Sequence, residues 1–231
     1  MSDSQHPWQW ISTQPMKAAE NMALDAALFE ACGMMDAPLL RFYRWSEPAA
    51  TFGYFQRYEE VARQTFCSPL VRRPTGGGLV EHLSDWTYSF VVPCANAWWG
   101  LNAKESYQRI HRWIQGSLRM LGTAADLAGC GLEGVAGKCF LKPECSDLLI
   151  AGKKVAGAAQ RRNRTGLLIQ GSVQLGEQGY DRDDWERAMR EEARQQWGVQ
   201  WVEWKDFETF QGRQKELTRD LFGCETHQRR R

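Results

Sequence analysis

Arg72-Arg73-Pro74-Thr75-Gly76-Gly77-Gly78-Leu79-Val80-Glu81-His82 is the stretch on which the fold turns. A proline followed by three successive glycines continues neither a helix nor a strand, so the chain must break here. Leu70-Val71-Arg72-Arg73 reads as a strand running into the break, and Leu79-Val80 as a strand leaving it. Glycines without Cβ atoms let a backbone approach a ligand closely and aim several N–H groups at it. Two arginines just before them suit an anionic ligand or a carboxylate. Composition alone leaves open a plain surface turn with a solvated basic pair.

Working outward, Trp8 to Ile11 reads as a short strand. Ala18 to Cys32 reads as a helix with a broad apolar face ending at Gly33. Leu39 to Arg44 and Thr51 to Tyr54 are strands, and Val61 lies in a helical turn. Downstream, Trp86 to Val92 is a strand joined to Leu79-Val80 by a tight turn at Ser84-Asp85. In Ser106 to Leu121 the residues Tyr107, Ile110, Trp113, Ile114, Leu118 and Leu121 form one stripe at helical spacing. Asp147 to Ala151 and Lys154 to Ala159 form a hairpin turning at Gly152-Lys153, and Leu167 to Val173 is a third strand. Asp181 to Trp197 and Asp206 to Phe222 are charged amphipathic helices. With no repeat and no linker, one mixed α/β domain over 1–231 is the economical reading.

The chain has 231 residues, 43% hydrophobic and 25% charged, with a formal net charge of +1. That composition is globular, and it gives no electrostatic reason to expect nucleic acid or a membrane as partner. The basic ending Gln228 to Arg231 reads as a solvated tail. Eleven tryptophans point to core packing and the walls of an apolar cavity. The first residues lack a signal-peptide pattern and no apolar run approaches the roughly 18 residues a span needs, so a cytoplasmic enzyme is expected. Seven scattered cysteines are then reduced thiols, mostly small core residues. Gly129-Cys130-Gly131-Leu132-Glu133-Gly134 matches a dinucleotide fingerprint literally, but neither a helix start nor an acidic residue about 20 positions on follows it. It reads as a loop. Cys139 and Cys145 lack a paired C-x-x-C, so no metal site is expected.

The glycine stretch, followed by Trp86-Thr87-Tyr88-Ser89-Phe90, resembles the acyl-binding signature of the biotin/lipoate protein ligase superfamily. Asn21-Met22-Ala23-Leu24-Asp25 resembles that family's first helix. Gly152-Lys153-Lys154-Val155-Ala156-Gly157-Ala158-Ala159-Gln160-Arg161 and Gly166 to Ser172 resemble its lysine-bearing hairpin. Arg41 to Trp45 and Thr51 to Gln56 fit the segment between. The likeness covers about residues 8–175, leaving 176–231 as a helical C-terminal extension. The resemblance implies a mixed, largely antiparallel sheet packed by helices, with an acyl chain buried beneath the glycine loop. It implies substrate-binding roles for Arg72, Arg73, Gly76, Gly77, Gly78, His82, Gly157 and Ala158.

The superfamily attaches acyl groups to a carrier lysine by more than one chemistry. Cys139-Phe140 followed by Pro143, with Lys154 fifteen residues on, resembles the branch of cysteine-dependent octanoyltransferases. The resemblance then implies Cys139 as the acyl-carrying thiol and Lys154 as its activating cation. It implies transfer of an octanoyl or lipoyl group from acyl carrier protein to a lipoyl carrier domain, such as a glycine cleavage H protein or a 2-oxoacid dehydrogenase lipoyl domain, without a cofactor. An ammonium beside a thiol favours the thiolate, the nucleophilic form. Gly78 stands where that branch usually has arginine, Leu83 where an acidic residue follows the histidine, and Asp147 is ligase-like. Those departures keep two alternatives: a lipoate ligase using ATP and Mg, and a non-catalytic member that binds acylated carriers.

Overall fold

The computed structural model describes residues 7–129, 144–175 and 181–230. Strand β1 (Trp8–Ser12) leads to helix α1 (Ala18–Glu30) and then to β2 (Leu39–Tyr43). β3 (Ala49–Phe52), α2 (Tyr58–Ala62), β4 (Leu70–Arg72) and β5 (Val80–His82) follow, then β6 (Trp86–Pro93). The second half holds α3 (Ala97–Gly100), α4 (Ala103–Met120), β7 (Asp126–Leu127), β8 (Leu148–Ile150), β9 (Lys153–Arg162) and β10 (Gly166–Val173). It ends with α5 (Arg182–Trp197), β11 (Trp201–Glu203), α6 (Phe207–Leu217) and α7 (Glu225–Arg229).

An eight-stranded sheet runs in the order β11-β1-β2-β6-β10-β9-β8-β7. Only the β11–β1 and β1–β2 pairs are parallel, so the sheet is largely antiparallel, as expected. Every residue of β2 and β10 is buried, because helices cover both faces. Alternation along β2 sends Leu40 and Phe42 into a core shared with Trp113 and Ile114 of α4 and Trp185 of α5. It sends Leu39 to the other face, against Leu24 and Leu28 of α1. Trp8, Trp98, Trp113, Trp197 and Trp201 pack ring against ring in the first of these layers, which accounts for nearly half of the tryptophans. Helix α4 starts where Asn102 and Glu105 cap each other reciprocally, each side chain accepting from the other's backbone N–H. Among the described residues no helix is long and apolar enough to cross a membrane.

Four expectations are corrected. The strands before and after Ser84-Asp85 do not pair as a hairpin. β5 joins β3 and β4 in a separate three-stranded sheet, whereas β6 lies deep in the large one. The turn between β8 and β9 is Ala151-Gly152 rather than Gly152-Lys153, with φ of 49° and 77°, the left-handed pair that a two-residue hairpin favours. The ending at Gln228 is not a solvated tail. Gln228 is buried, its Oε1 accepting from the Arg72 N–H at 2.5 Å and its Nε2 donating to Phe222. Cys145 is disulfide-bonded, against the expectation of reduced thiols throughout. Cys32 fits that expectation: it is a free core thiol pushed up to about 12 by burial.

Candidate functional site

The glycine loop is built from behind by Arg73. Its Nε and Nη2 donate to the Gly76 carbonyl at 3.0 and 2.5 Å, and Nη2 also reaches the Gly78 carbonyl at 2.7 Å. With those carbonyls turned inward, no described hydrogen bond uses the N–H of Gly76 or Gly77. Gly77 has φ +83°, and a Cβ there would lie 2.8 Å from Arg73 Nη2 and 3.4 Å from the Cβ of Ala159. Gly53 leaves room for the loop from the other side, since a Cβ on it would collide with the Gly77 carbonyl. Tyr54 N–H donates to the Thr75 carbonyl at 2.9 Å, tying the two segments together.

Beneath the loop lies a narrow slot of about 30 Å³, floored by Gly157, Ala158, Ala159 and Gly171 and closed by Met22, Tyr43 and Trp45. Small residues on the adjacent strands β9 and β10 leave the floor low. At Gly171 even a Cβ would strike the Tyr88 ring. The slot has two polar supports. Thr75 donates to Gln170 at 2.7 Å, Gln170 donates to Asp25 at 2.7 Å, and Asp25 is ion-paired to the fully buried Arg41 at 2.6 Å. The second support runs through His82, whose Nδ1 lies 2.8 Å from Asp85 and whose Nε2 lies 2.8 Å from Thr51 Oγ1. Trp45 stacks on the His82 ring with centroids 3.8 Å apart. Burial alone would raise the Asp85 carboxyl. The His82 charge and hydrogen bonds from His82, Ser172 and Thr87 outweigh it and hold Asp85 below the usual carboxylate range.

At one side of the slot stands Lys154. Its ammonium is buried and meets Asp147 Oδ2 at 2.6 Å. The Glu144 N–H donates to the same oxygen at 2.6 Å, and Tyr107 Oη donates to Oδ1 in a short contact. A Cβ on Gly157 would fall 2.9 Å from Lys154 Nζ, so glycine at that slot-lining position gives the ammonium its place. His111 packs its ring 4.3 Å from that of Tyr107, and its Nδ1–H donates to the Tyr107 carbonyl at 2.8 Å. Burial pushes His111 down to about 4. The Lys154 charge adds to that, opposed by the hydrogen bond and by Asp147.

The structure therefore brings Arg73, His82, Gly157 and Ala158 into the slot lining, with Gly77 beside Arg73 and Ala159 and Lys154 beside Gly157. Gly76 and Gly78 offer their carbonyls to Arg73. Cys139 lies outside the described residues, as does most of the Gly129–Gly134 loop. Arg72 is corrected as an anion-binding group. Its five N–H donors meet the carbonyls of Tyr54, Gln56, His227, Gln228 and Arg230 at 2.6 to 3.2 Å, so none is left for a ligand. Sequence reasoning missed Asp85, Gln170, Tyr107 and His111. Asp85 takes up the acidic place beside His82 that Leu83 leaves empty, and a carboxylate three residues from a histidine was a readable signal. Tyr107 sits in the apolar stripe of α4, where nothing local marks its hydroxyl.

Residues 17–195 match the lipoyl protein ligase A/B catalytic domain. The chain is 37% identical over 172 residues to an octanoyltransferase LipM of Carboxydothermus hydrogenoformans, covering 72% of this chain and 64% of that protein. It is 35% identical over 175 residues to an octanoyltransferase LipM of Oceanobacillus iheyensis, covering 73% and 64%. The chain thus spans a little under two thirds of the length of these curated relatives. In fold it is similar to a T. acidophilum protein of the lipoate protein ligase type solved with bound lipoic acid. The TM-score is 0.78 at 19% identity, covering 97% of this chain and all of that one. It is also similar to a lipoate-protein ligase A bound with ATP, with a TM-score of 0.77 at 19% identity over 96% and 98% of the two chains. With the glycine loop, its small-residue floor and Lys154 all inside the matched span, the chain belongs to the lipoyl protein ligase A/B catalytic-domain family.

Proposed function

We propose that this chain is the catalytic domain of an octanoyltransferase, with residues 176–231 a helical extension of it. It moves an octanoyl, or lipoyl, group from an acyl carrier thioester to a lysine of a lipoyl carrier domain. The observation that carries the reading is the buried Lys154 ammonium, held by Asp147 against slot-lining Gly157, in a chain whose relatives are named octanoyltransferases. In the first step the Cys139 thiolate attacks the thioester carbonyl and the carrier's thiolate leaves. In the second the amine of the acceptor lysine attacks the acyl-enzyme, the C–S bond breaks to release the Cys139 thiolate, and the proton lost by the amine passes to that thiolate as the amide forms. Lys154 favours the thiolate in both steps, and the unengaged N–H groups of Gly76 and Gly77 are the candidates to receive the oxyanion. Thioester exchange is nearly isoenergetic and aminolysis runs downhill, so this chemistry needs neither metal nor ATP.

Gly78 and Asp147 favour a second reading, a lipoate ligase that uses ATP and Mg and passes through lipoyl-adenylate. There Lys154 would meet the adenylate rather than a thiol. Intact-mass spectrometry after mixing with octanoyl-acyl carrier protein, without ATP, separates the two. Wild type should gain one octanoyl group and Cys139→Ala none. Full activity of Cys139→Ala with ATP and free lipoate would instead establish the ligase.

A further inference from the structure

Lys154 sits at the end of a short relay that begins on a different element. A buried ammonium is costly unless its partner carboxylate stays ionised and correctly aimed. Asp147 lies in the segment just before β8, with backbone support from the Glu144 N–H on Oδ2, the same oxygen that holds Lys154. Its other oxygen is fixed from helix α4 by Tyr107 Oη. Hydrogen bonds to the charged form of a carboxylate favour that form. Tyr107 is in turn held on two sides, by the His111 ring packed at a tilt beside it and by its own carbonyl accepting from His111 Nδ1. Burial lowers His111 to about 4, so it is neutral near neutral pH.

We propose that Tyr107 is a positioning residue for the transfer reaction: by donating to Oδ1 of Asp147 it fixes the rotation of that carboxylate so that Oδ2 holds the Lys154 ammonium against Gly157 at the slot. This rests on the acyl-transfer reading above. Through this hydrogen bond the side chain acts on Asp147. The titratable groups around Lys154 in this relay are Asp147 from the segment before β8 and Tyr107 and His111 from α4.

Tyr107→Phe tests this, since it removes one oxygen and leaves the ring and the helix in place. In octanoyl transfer from octanoyl-acyl carrier protein to a lipoyl domain, kcat should fall about tenfold to a hundredfold, the range of one hydrogen bond to a charged group. KM for the donor should stay within about twofold. Tyr107→Phe added to Asp147→Asn should cost almost nothing more, because both act on one contact. Unchanged kcat, or additive losses in the double variant, would overturn the proposal. A second arm needs no activity: the ¹⁵N resonance of the Lys154 side chain, assigned with Lys154→Gln, should shift or broaden in Tyr107→Phe. An unmoved resonance overturns the positioning role whatever the reaction. Wild type that transfers nothing, while the resonance still moves, counts against the transferase reading alone and leaves the relay supported.

Discussion

Gly77 shows how a single residue can carry both a local and a functional requirement. Its φ of +83° lies where side chains are strained, and its missing Cβ gives Arg73 Nη2 and Ala159 their places. Valine there would be strained by its β-branch and would push the loop off its guanidinium brace. Gly77→Val should therefore abolish acyl loading, followed by mass spectrometry, while thermal unfolding stays cooperative at a cost of about 1–3 kcal/mol. Unchanged loading kinetics would make the loop an ordinary turn. The triple glycine was legible in the sequence as a place of close approach. Which N–H groups stay unengaged was not, because that depends on where Arg73 sends its donors.

Among the elements, helix α7 departs most from its sequence pattern. The basic ending Gln228 to Arg231 suggests a solvated run, yet the carbonyls of His227, Gln228 and Arg230 converge on one guanidinium. Arg72 also holds Tyr54 and Gln56 with its remaining donors, so α7 is linked to the segment that supports the glycine loop. Arg229 adds ion pairs to Glu59 and Glu225, which are exposed and contribute little. Arg72→Lys leaves a compact ammonium with three donors in place of a five-donor fork. It should destabilise by about 2 kcal/mol or more through the lost charged hydrogen bonds. Amide exchange over residues 225–230 should rise by at least about tenfold while that of β2 and β10 is unaltered. Exchange unchanged at α7 would show that the helix docks without Arg72. The pairing error around Ser84-Asp85 belongs to this scale as well. A tight turn between two β-patterned runs reads as a hairpin, but β5 and β6 find better partners in different sheets.

Across the whole molecule, burying α4 against the sheet encloses a histidine as well as the apolar stripe. His111 is lowered to about 4 by burial, against an ordinary value of 6.5. The unfolded chain therefore binds the proton more readily between those values. The stability this group contributes is present above about pH 6.5 and is lost as pH falls toward 4. At 1.4 kcal/mol for each pKa unit, the loss is about 3 kcal/mol. Urea unfolding of wild type and His111→Gln at matched pH values should show wild type losing about that much more on acidification, whatever the variant's stability at neutral pH. Parallel pH dependences in the two proteins would mean that His111 does not stay neutral in the fold.

The sequence by itself determined the order of the longer elements, the mixed α/β character, the broken strand at Gly76 to Gly78 and the hairpin that presents Lys154. These follow from periodicity and from what glycine and proline permit, which are properties of short windows. The capping box of Asn102 and Glu105 is equally local but sequence reasoning missed it: α4 begins at Ala103, earlier than the expected Ser106. Tertiary structure alone decided that Arg72 binds backbone rather than a ligand, that Asp85 serves His82, and that Tyr107 reaches Asp147 forty residues away. A polar side chain's role is set by whichever partner burial brings within about 3 Å of it, and that partner lies on another strand or helix. Two adjacent arginines with the same local signal thus end in different roles: Arg73 braces the glycine loop at the slot, and Arg72 anchors α7 behind it.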